Sequence, residues 1–228
     1  MTSKLMLAID TCGPTGSLAL GQMVNGELHI LGETTLGGQR PSETLVGYAC
    51  EMLRMAEVPL AQLGAIVAVN GPGGFTGVRV GLAAVKGLAE STRIPVVAVS
   101  RLEVLAAKAG VASAALDAHR HEVYLRVGGP DGKARELLAG TAELAGIVPP
   151  PPRIALCDED AVQLLSEAWP TTELIRTKAP TAADALRLCA PRAAAGEFVD
   201  LALLDGHYLR RSDAEIFGDP DMPGTQRP

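Results

Sequence analysis

The sequence predicts an α/β protein of two lobes built on one plan, the second smaller than the first. Three observations carry this. The run Leu5-Met-Leu-Ala-Ile-Asp10 is apolar and ends on an acid, and so does 112–117, which ends on Asp117. Each is followed by a tight turn and a returning strand. Between and after these hairpins, apolar residues recur at helical spacing and alternate with short β-branched runs, as in units where helices cover a sheet.

In the first half, the turn at 11–16 holds Gly13, Pro14 and Gly16, and Ser17-Leu-Ala-Leu-Gly21 returns as a second strand. Asn25-Gly26 is a strong hairpin signal, so 27–36 is a third strand. A helix starts at Ser42-Glu43 and runs to about Ala56, with Leu45, Val46, Ala49, Met52, Leu53 and Ala56 at helical spacing. The strand Ala65-Ile-Val-Ala-Val69 leads into Asn70-Gly-Pro-Gly-Gly-Phe-Thr-Gly77 and then a helix from Thr76 to about Ser91. Pro95–Val99 is a strand, and Ser100 caps a helix to about Ala109. In the second half, strands are expected at 112–117, 122–127, 134–138 and 153–157, with helices at 161–168 and 181–195. Residues 1–104 are assigned to the first lobe, 105–217 to the smaller second lobe, and 218–228, rich in Gly, Pro and Asp, to a flexible tail.

Composition excludes several classes. The chain has 228 residues, 47% of them hydrophobic, enough for a real core. Its net charge of −6, without a basic run, argues against gripping nucleic acid unaided. No stretch of about 18 apolar residues is present, so no membrane span is expected. Lys4 leads directly into a strand with no apolar signal core before it, and four scattered cysteines lack a C-x-x-C. A cytoplasmic protein with reduced thiols is expected.

The glycine-rich segment is the most informative local feature. A Walker A loop needs Gly-Lys-Ser/Thr, but Gly77 is followed by Val78-Arg79. A dinucleotide fingerprint fails because Thr76 stands where its third glycine would be. Thr76 sits where an N-cap is expected. Gly77, Gly81 and Ala84 share one helix face. Two readings stand open: close packing inside the protein, and a partner interface or remnant phosphate loop made of Asp10, Thr11, Gly71, Gly73, Gly74 and Thr76.

The repeated strand–acid–turn–strand pattern is what a duplicated ribonuclease-H-like lobe shows, as in the actin, sugar kinase and heat-shock chaperone (ASKHA) superfamily. There the acid ending the first strand binds metal or activates water, and the hairpin cradles phosphate with backbone N–H groups. Asp10-Thr11 and Asp117-Ala118 hold those positions.

Ala8-Ile-Asp-Thr11, Ser17-Leu-Ala-Leu20, Ser42-Glu43, Gly71-Pro-Gly-Gly-Phe-Thr-Gly-Val-Arg-Val-Gly81, Pro95-Val-Val-Ala-Val-Ser-Arg-Leu-Glu103, Asp117-Ala-His-Arg-His-Glu-Val-Tyr124 and Tyr208-Leu-Arg210 resemble the TsaB (YeaZ-like) family. The resemblance runs from about residue 5 to 217. It implies a subunit needed to make N6-threonylcarbamoyladenosine next to the anticodon of tRNAs that read codons starting with adenine. The family is similar to its catalytic paralogue TsaD, which holds a metal through an H-x-x-x-H pair on a helix. Two His at i and i+4 share one helix face. Residues 40–56 contain no His, and 153–196 lack the glycine-rich adenosine turn of the superfamily. A non-catalytic scaffold is therefore expected, with no cofactor of its own.

The resemblance also implies that helices 42–56 and 76–90 dock on the equivalent helices of TsaD. Gly77, Gly81 and Ala84 suit close approach, and Val78, Leu82, Val85, Leu88, Leu45 and Met52 supply apolar anchors. The same surface is expected to form homodimers without TsaD. TsaE is implied as a third subunit. ATP or ADP and Mg2+ would be bound through TsaD and TsaE, and tRNA only through the complex. Arg40 and Pro41 depart from the His-Ser-Glu that relatives often carry ahead of this helix.

Other features read more simply. His119 and His121 are expected at a strand start, facing one way, with no third metal ligand evident. Ser42-Glu43 is an N-cap pattern, not a nucleophile with its acid. The four His show no context for a Ser/His/Asp triad. Two other classes remain: a small-molecule kinase of the same superfamily, using Asp10 as base, and a self-associating regulatory protein.

Overall fold

The computed structural model describes residues 4–37, 41–129 and 132–210 of the chain. The tail at 218–228, Arg40, and the side chains of Pro41, Ser42 and Glu43 lie outside the described residues.

The first lobe opens with β1 (Lys4–Asp10), β2 (Gly16–Val24) and β3 (Glu27–Leu36), an antiparallel meander. Helix α1 (Pro41–Met55) leads through a 3-10 turn at Leu60–Gln62 to β4 (Leu63–Val69), which lies parallel to β1. Helix α2 (Phe75–Thr92) crosses to β5 (Val96–Val99), parallel to β4. The sheet order is β3-β2-β1-β4-β5. β1 and β4 occupy its middle, buried on both faces, so both are continuous apolar runs and not alternating ones. Edge strand β3 alternates exposed and half-buried residues along its length.

The second lobe repeats this topology. After α3 (Arg101–Lys108) come β6 (Ala114–Asp117), β7 (Val123–Gly128) and β8 (Ala134–Ala139), again an antiparallel meander. The short α4 (Thr141–Ala145) precedes β9 (Arg153–Leu156), parallel to β6. Helix α5 (Glu159–Ala168) then leads to β10 (Glu173–Arg176), parallel to β9. Read from the meander edge, the order β8-β7-β6-β9-β10 matches that of the first sheet. The predicted pair of ribonuclease-H-like lobes, with the second reduced, is present. Two elements go beyond the sequence reading: α4, and β10, a strand of only four residues.

The two lobes exchange helices. Helix α6 (Ala182–Ala195), late in the chain, buries Ala182, Ala185, Leu186, Cys189 and Ala193 in the core of the first sheet. Its Thr181 N-cap accepts from Asp184 N–H, and Asp184 accepts in return from Thr181 N–H, a capping box. Helix α3 instead packs Leu102, Leu105 and Ala106 against Ala114, Leu116 and Ala155 of the second sheet. Ser100 caps α3 as predicted, its hydroxyl accepting from Leu102 N–H at 3.2 Å. The cap of α2 differs from expectation. The N-cap is Gly74, with no side-chain bond, and Thr76 lies inside the first turn. Gly74 N–H donates to the Cys12 carbonyl at 2.9 Å, so the neighbouring turn fixes the helix start.

Among the described residues, no helix is long and apolar enough to cross a membrane.

Candidate functional site

The strand ends of both lobes meet at a cleft of about 900 Å³. On the first lobe, β1 ends on Asp10, whose carboxylate accepts from Cys12 N–H at 2.9 Å and so turns the chain sharply. Asp10 is 2% exposed. Burial raises its pKa above the usual carboxylate value, while the Arg101 guanidinium, with Nε 3.7 Å from Oδ2, pulls the other way. Cys12 is buried behind it, its thiol 3.2 Å from the Val69 carbonyl. Burial and the Asp10 charge hold that thiol well above its ordinary pKa, so it is no ready thiolate.

The glycine-rich turn closes on this loop. A Cβ at Gly73 would run into the Cys12 carbonyl, and one at Gly77 into the Thr11 carbonyl. A Cβ at Gly81 would meet the Thr11 hydroxyl, which itself donates to the Gly77 carbonyl at 2.6 Å. Gly71 has φ +115°, which glycine alone accepts cheaply, and its carbonyl accepts from Arg101 N–H at 2.6 Å. The structure thus brings together Asp10, Thr11, Gly71, Gly73 and Gly74, whereas Thr76 is exposed and does not line the cleft. The close approach that Gly77 and Gly81 permit is between α2 and the chain's own first turn.

On the second lobe, Asp117 repeats the Asp10 device by accepting from His119 N–H at 2.8 Å. His119 Nδ1 lies 2.7 Å from the other Asp117 oxygen. His119, Arg120 and His121 have φ of 60°, 58° and 59°, three successive left-handed residues. They form the turn between β6 and β7, closed by Glu122 N–H on the His119 carbonyl at 3.1 Å. The expected strand-start placement is therefore corrected, since β7 begins only at Val123. Among the described residues, no group of three or more His, Cys, Asp or Glu is placed to hold a metal.

A C-terminal strap spans both lobes. Leu204 is buried in the first core. His207 N–H donates to the Asn70 carbonyl at 2.7 Å, and its ring lies 2.9 Å from Glu136 of the second lobe. The Tyr208 ring packs on Phe75 at the start of α2, centroids 5.5 Å apart. Arg210 pairs with Glu122. Glu136 also accepts from Ser100 Oγ at 2.6 Å and Arg126 Nη1 at 2.8 Å. Arg101, Glu136 and His207 were not signalled as site residues by the sequence. An arginine following an N-cap serine reads as a solvated first-turn residue, yet Arg101 is 6% exposed.

The helix pair α1–α2 forms one layer on the first sheet. Leu45, Val78, Leu82 and Val85 lie in this chain's own core, and Gly81 is buried with them. Met52, Ala84 and Leu88 are partly buried. The outward surface is carried by Val46, Gly47, Tyr48 and Met55 of α1, and by Thr76, Ala83 and Gly87 of α2. Gly47 and Gly87 have nothing within 4 Å of a Cβ position.

Comparison with known proteins fits this architecture. The family described as TsaD, tRNA N6-adenosine threonylcarbamoyltransferase, matches residues 37–148. The chain is 36% identical over 123 residues to the tRNA threonylcarbamoyladenosine biosynthesis protein TsaB of Bacillus subtilis, covering 52% of each. It is 33% identical over 130 residues to TsaB of Haemophilus influenzae, covering 54% of this chain and 53% of that protein. The chain thus spans about half the length of the curated relatives it matches. A solved structure from Pseudomonas aeruginosa, of an uncharacterized protein with similarity to peptidase YEAZ, aligns with TM-score 0.73 at 29% identity. It covers 91% of this chain and 100% of that one. Component A of (R)-2-hydroxyglutaryl-CoA dehydratase from Acidaminococcus fermentans shares the fold alone, at TM-score 0.52 and 10% identity, covering 84% of this chain and 99% of that one.

Proposed function

We propose that this chain, a TsaB/YeaZ-like protein, serves in tRNA threonylcarbamoyladenosine formation as a non-catalytic subunit that binds and activates TsaD. The observation that carries this reading is the outward face of α1 and α2. It presents Val46 at 46% exposure and Met55 at 74%, beside the open glycines Gly47 and Gly87 and the small Ala83. Apolar and small residues exposed on two adjacent helices suit close helix packing against a partner of the same plan. The anchors first expected at Leu45, Val78, Leu82 and Val85 act from beneath by fixing the helix pair, while Met52, Ala84 and Leu88 border the exposed strip.

TsaD supplies the catalytic centre, TsaE joins the pair, and ATP or ADP with Mg2+ is held by those subunits. tRNA reaches the complex and not this chain alone. Without TsaD the same face pairs two copies of this chain, since partner and chain share one architecture. A tRNA-modifying role places it in the cytoplasm.

The test substitutes Gly47 and Gly87 by Glu, on the outward face. Both side chains have open space, so the urea unfolding midpoint is expected to stay within the range of surface changes. TsaD co-purification and threonylcarbamoyladenosine in cellular tRNA are expected to fall together. Undiminished TsaD binding by the double variant sinks the docking face. Normal tRNA modification in a depleted strain sinks the function.

A further inference from the structure

We infer that residues 204–210 act as a clasp that locks the two lobes at one angle and couples the start of α2 to the second lobe. Each lobe has a core of its own. Helix α3 is an apolar wedge between them, with Val104 in the first core and Leu102, Leu105 and Ala106 against the second sheet. Beside this wedge the boundary carries ion pairs. Glu103 on α3 pairs with Arg192 on α6, and Lys108 on α3 lies 2.8 Å from Asp184 on α6. All four side chains are partly exposed, and ion pairs of that kind contribute little. Two lobes joined in this way move against each other unless something further holds them.

The strap supplies that hold by gripping the two lobes in turn. Residues 204–208 run without helix or strand pairing, and in an extended chain successive side chains point to opposite sides. Leu204 is buried in the first core. Asn70, just after β4, then binds the strap twice. Its carbonyl accepts from His207 N–H at 2.7 Å, and its Nδ2 donates to the Asp205 carbonyl at 3.3 Å. The His207 side chain turns to the second lobe, with Nε2 2.9 Å from Glu136 Oε2 on β8. Tyr208 turns back to the first lobe and packs on Phe75, the first residue of α2. Leu209 packs against the cluster that α3 forms with the second sheet, and Arg210 pairs with Glu122 ahead of β7. With the holds interleaved, the strap cannot leave one lobe without loosening on the other. Contacts that share one short segment in this way act as a unit. His207 to Arg210 also line the cleft, so the clasp sets its width. A shift of α2 at Phe75 pulls on Tyr208 and, through its neighbours, on the second lobe.

Amide hydrogen exchange of the full chain, read by mass spectrometry with urea unfolding alongside, tests the clasp. Glu136→Ala changes only the second lobe. Exchange is nevertheless expected to quicken at least about threefold at His207 and over 74–78 in the first lobe. Tyr208→Ala removes the hold on Phe75. Exchange is then expected to quicken by a similar factor at Glu122, whose N–H closes the β6–β7 turn of the second lobe. The double variant is expected to lose less of the unfolding midpoint than the two single losses together, because a clasp already open cannot open again. Quickening that stays on the side of the substitution overturns the clasp, and so do additive losses. If Glu136→Ala does not fold, Arg210→Ala removes the pair with Glu122 and takes its place in both measurements. Neither measurement involves TsaD, so the docking face and the clasp stand or fall separately.

Discussion

The two lobes run the same strand order and place the same acid at the same strand end, yet they treat that acid differently. Asp10 and Asp117 each accept from the N–H two residues on. Asp10 is then roofed by the α2 turn, with the Arg101 guanidinium facing it at 3.7 Å. Asp117 keeps 14% of its side chain exposed and pairs with His119, a residue 84% open to solvent. One device serves as a buried electrostatic centre in the first lobe and as a plain turn former in the second. The difference lies in what covers the hairpin. The first has a glycine-rich loop and an 18-residue helix pressed against it, while the second, itself a turn of three left-handed residues, leaves His119 open to solvent.

The largest expected effect breaks this comparison at its centre. Asp10→Ala removes the acceptor of Cys12 N–H and the carboxylate 3.7 Å from a buried guanidinium. A cost of about 3 kcal/mol is expected, as for a buried pair that loses one partner. Asp117→Ala removes the equivalent bond near solvent, and about 1 kcal/mol is expected. Urea unfolding of both variants measures the contrast. Equal losses would show that the two acids do the same work and that burial of the first is incidental.

The next effect sharpens the role of the covering helix. Gly77→Ala drives a Cβ into the Thr11 carbonyl, a backbone atom that cannot swing away. About 2 kcal/mol of destabilisation is expected, as for an overpacked core. Gly87→Ala, ten residues along the same helix with open space around it, is expected to stabilise by about 0.5–1 kcal/mol. If both changes prove neutral, the first turn is not clamped by α2, and the distinction between inward and outward glycines is lost.

That distinction marks where the sequence could be read and where it could not. The two-lobe plan was legible because β1, β4 and β9 are apolar runs bounded by turn residues, and the strand-end acids repeat. Periodicity also placed Gly77, Gly81 and Ala84 on one face of α2. It could not say which face meets the sheet, because that depends on β1 lying parallel beside β4, a contact across nearly 60 residues. Gly77 and Gly81 therefore read equally well as internal packing and as a docking stripe. Arg101 was hidden for a related reason. Its burial comes from the Asp10 turn and the Gly71 carbonyl, both far away in sequence. Strand β10 has only Leu174 and Ile175 as apolar residues, too few to show alternation. That α6 would cover the first sheet is a property of the tertiary fold, not of its alanine-rich sequence.

The smallest expected effect tests the joint between the lobes. Glu136 on β8 faces His207 from the strap, Ser100 before α3, and Arg126 on β7. Burial alone would raise its pKa, but the adjacent His207 ring and the hydrogen bonds from Ser100 and Arg126 outweigh burial and hold it below the usual glutamate value of 4.5. A carboxyl whose folded pKa lies below its unfolded pKa adds stability above the unfolded value. That contribution is lost as pH falls through the folded value. Wild type is therefore expected to lose stability from about pH 4.5 downwards in part through this group. Glu136→Gln is expected to start less stable at neutral pH and to show a shallower decline across the same acid range. Melting temperatures of both proteins at steps between neutral and acid pH read the difference. Parallel curves would mean that Glu136 titrates alike folded and unfolded, and that the strap is held to the second lobe by Leu209 and Arg210 without help from this charge.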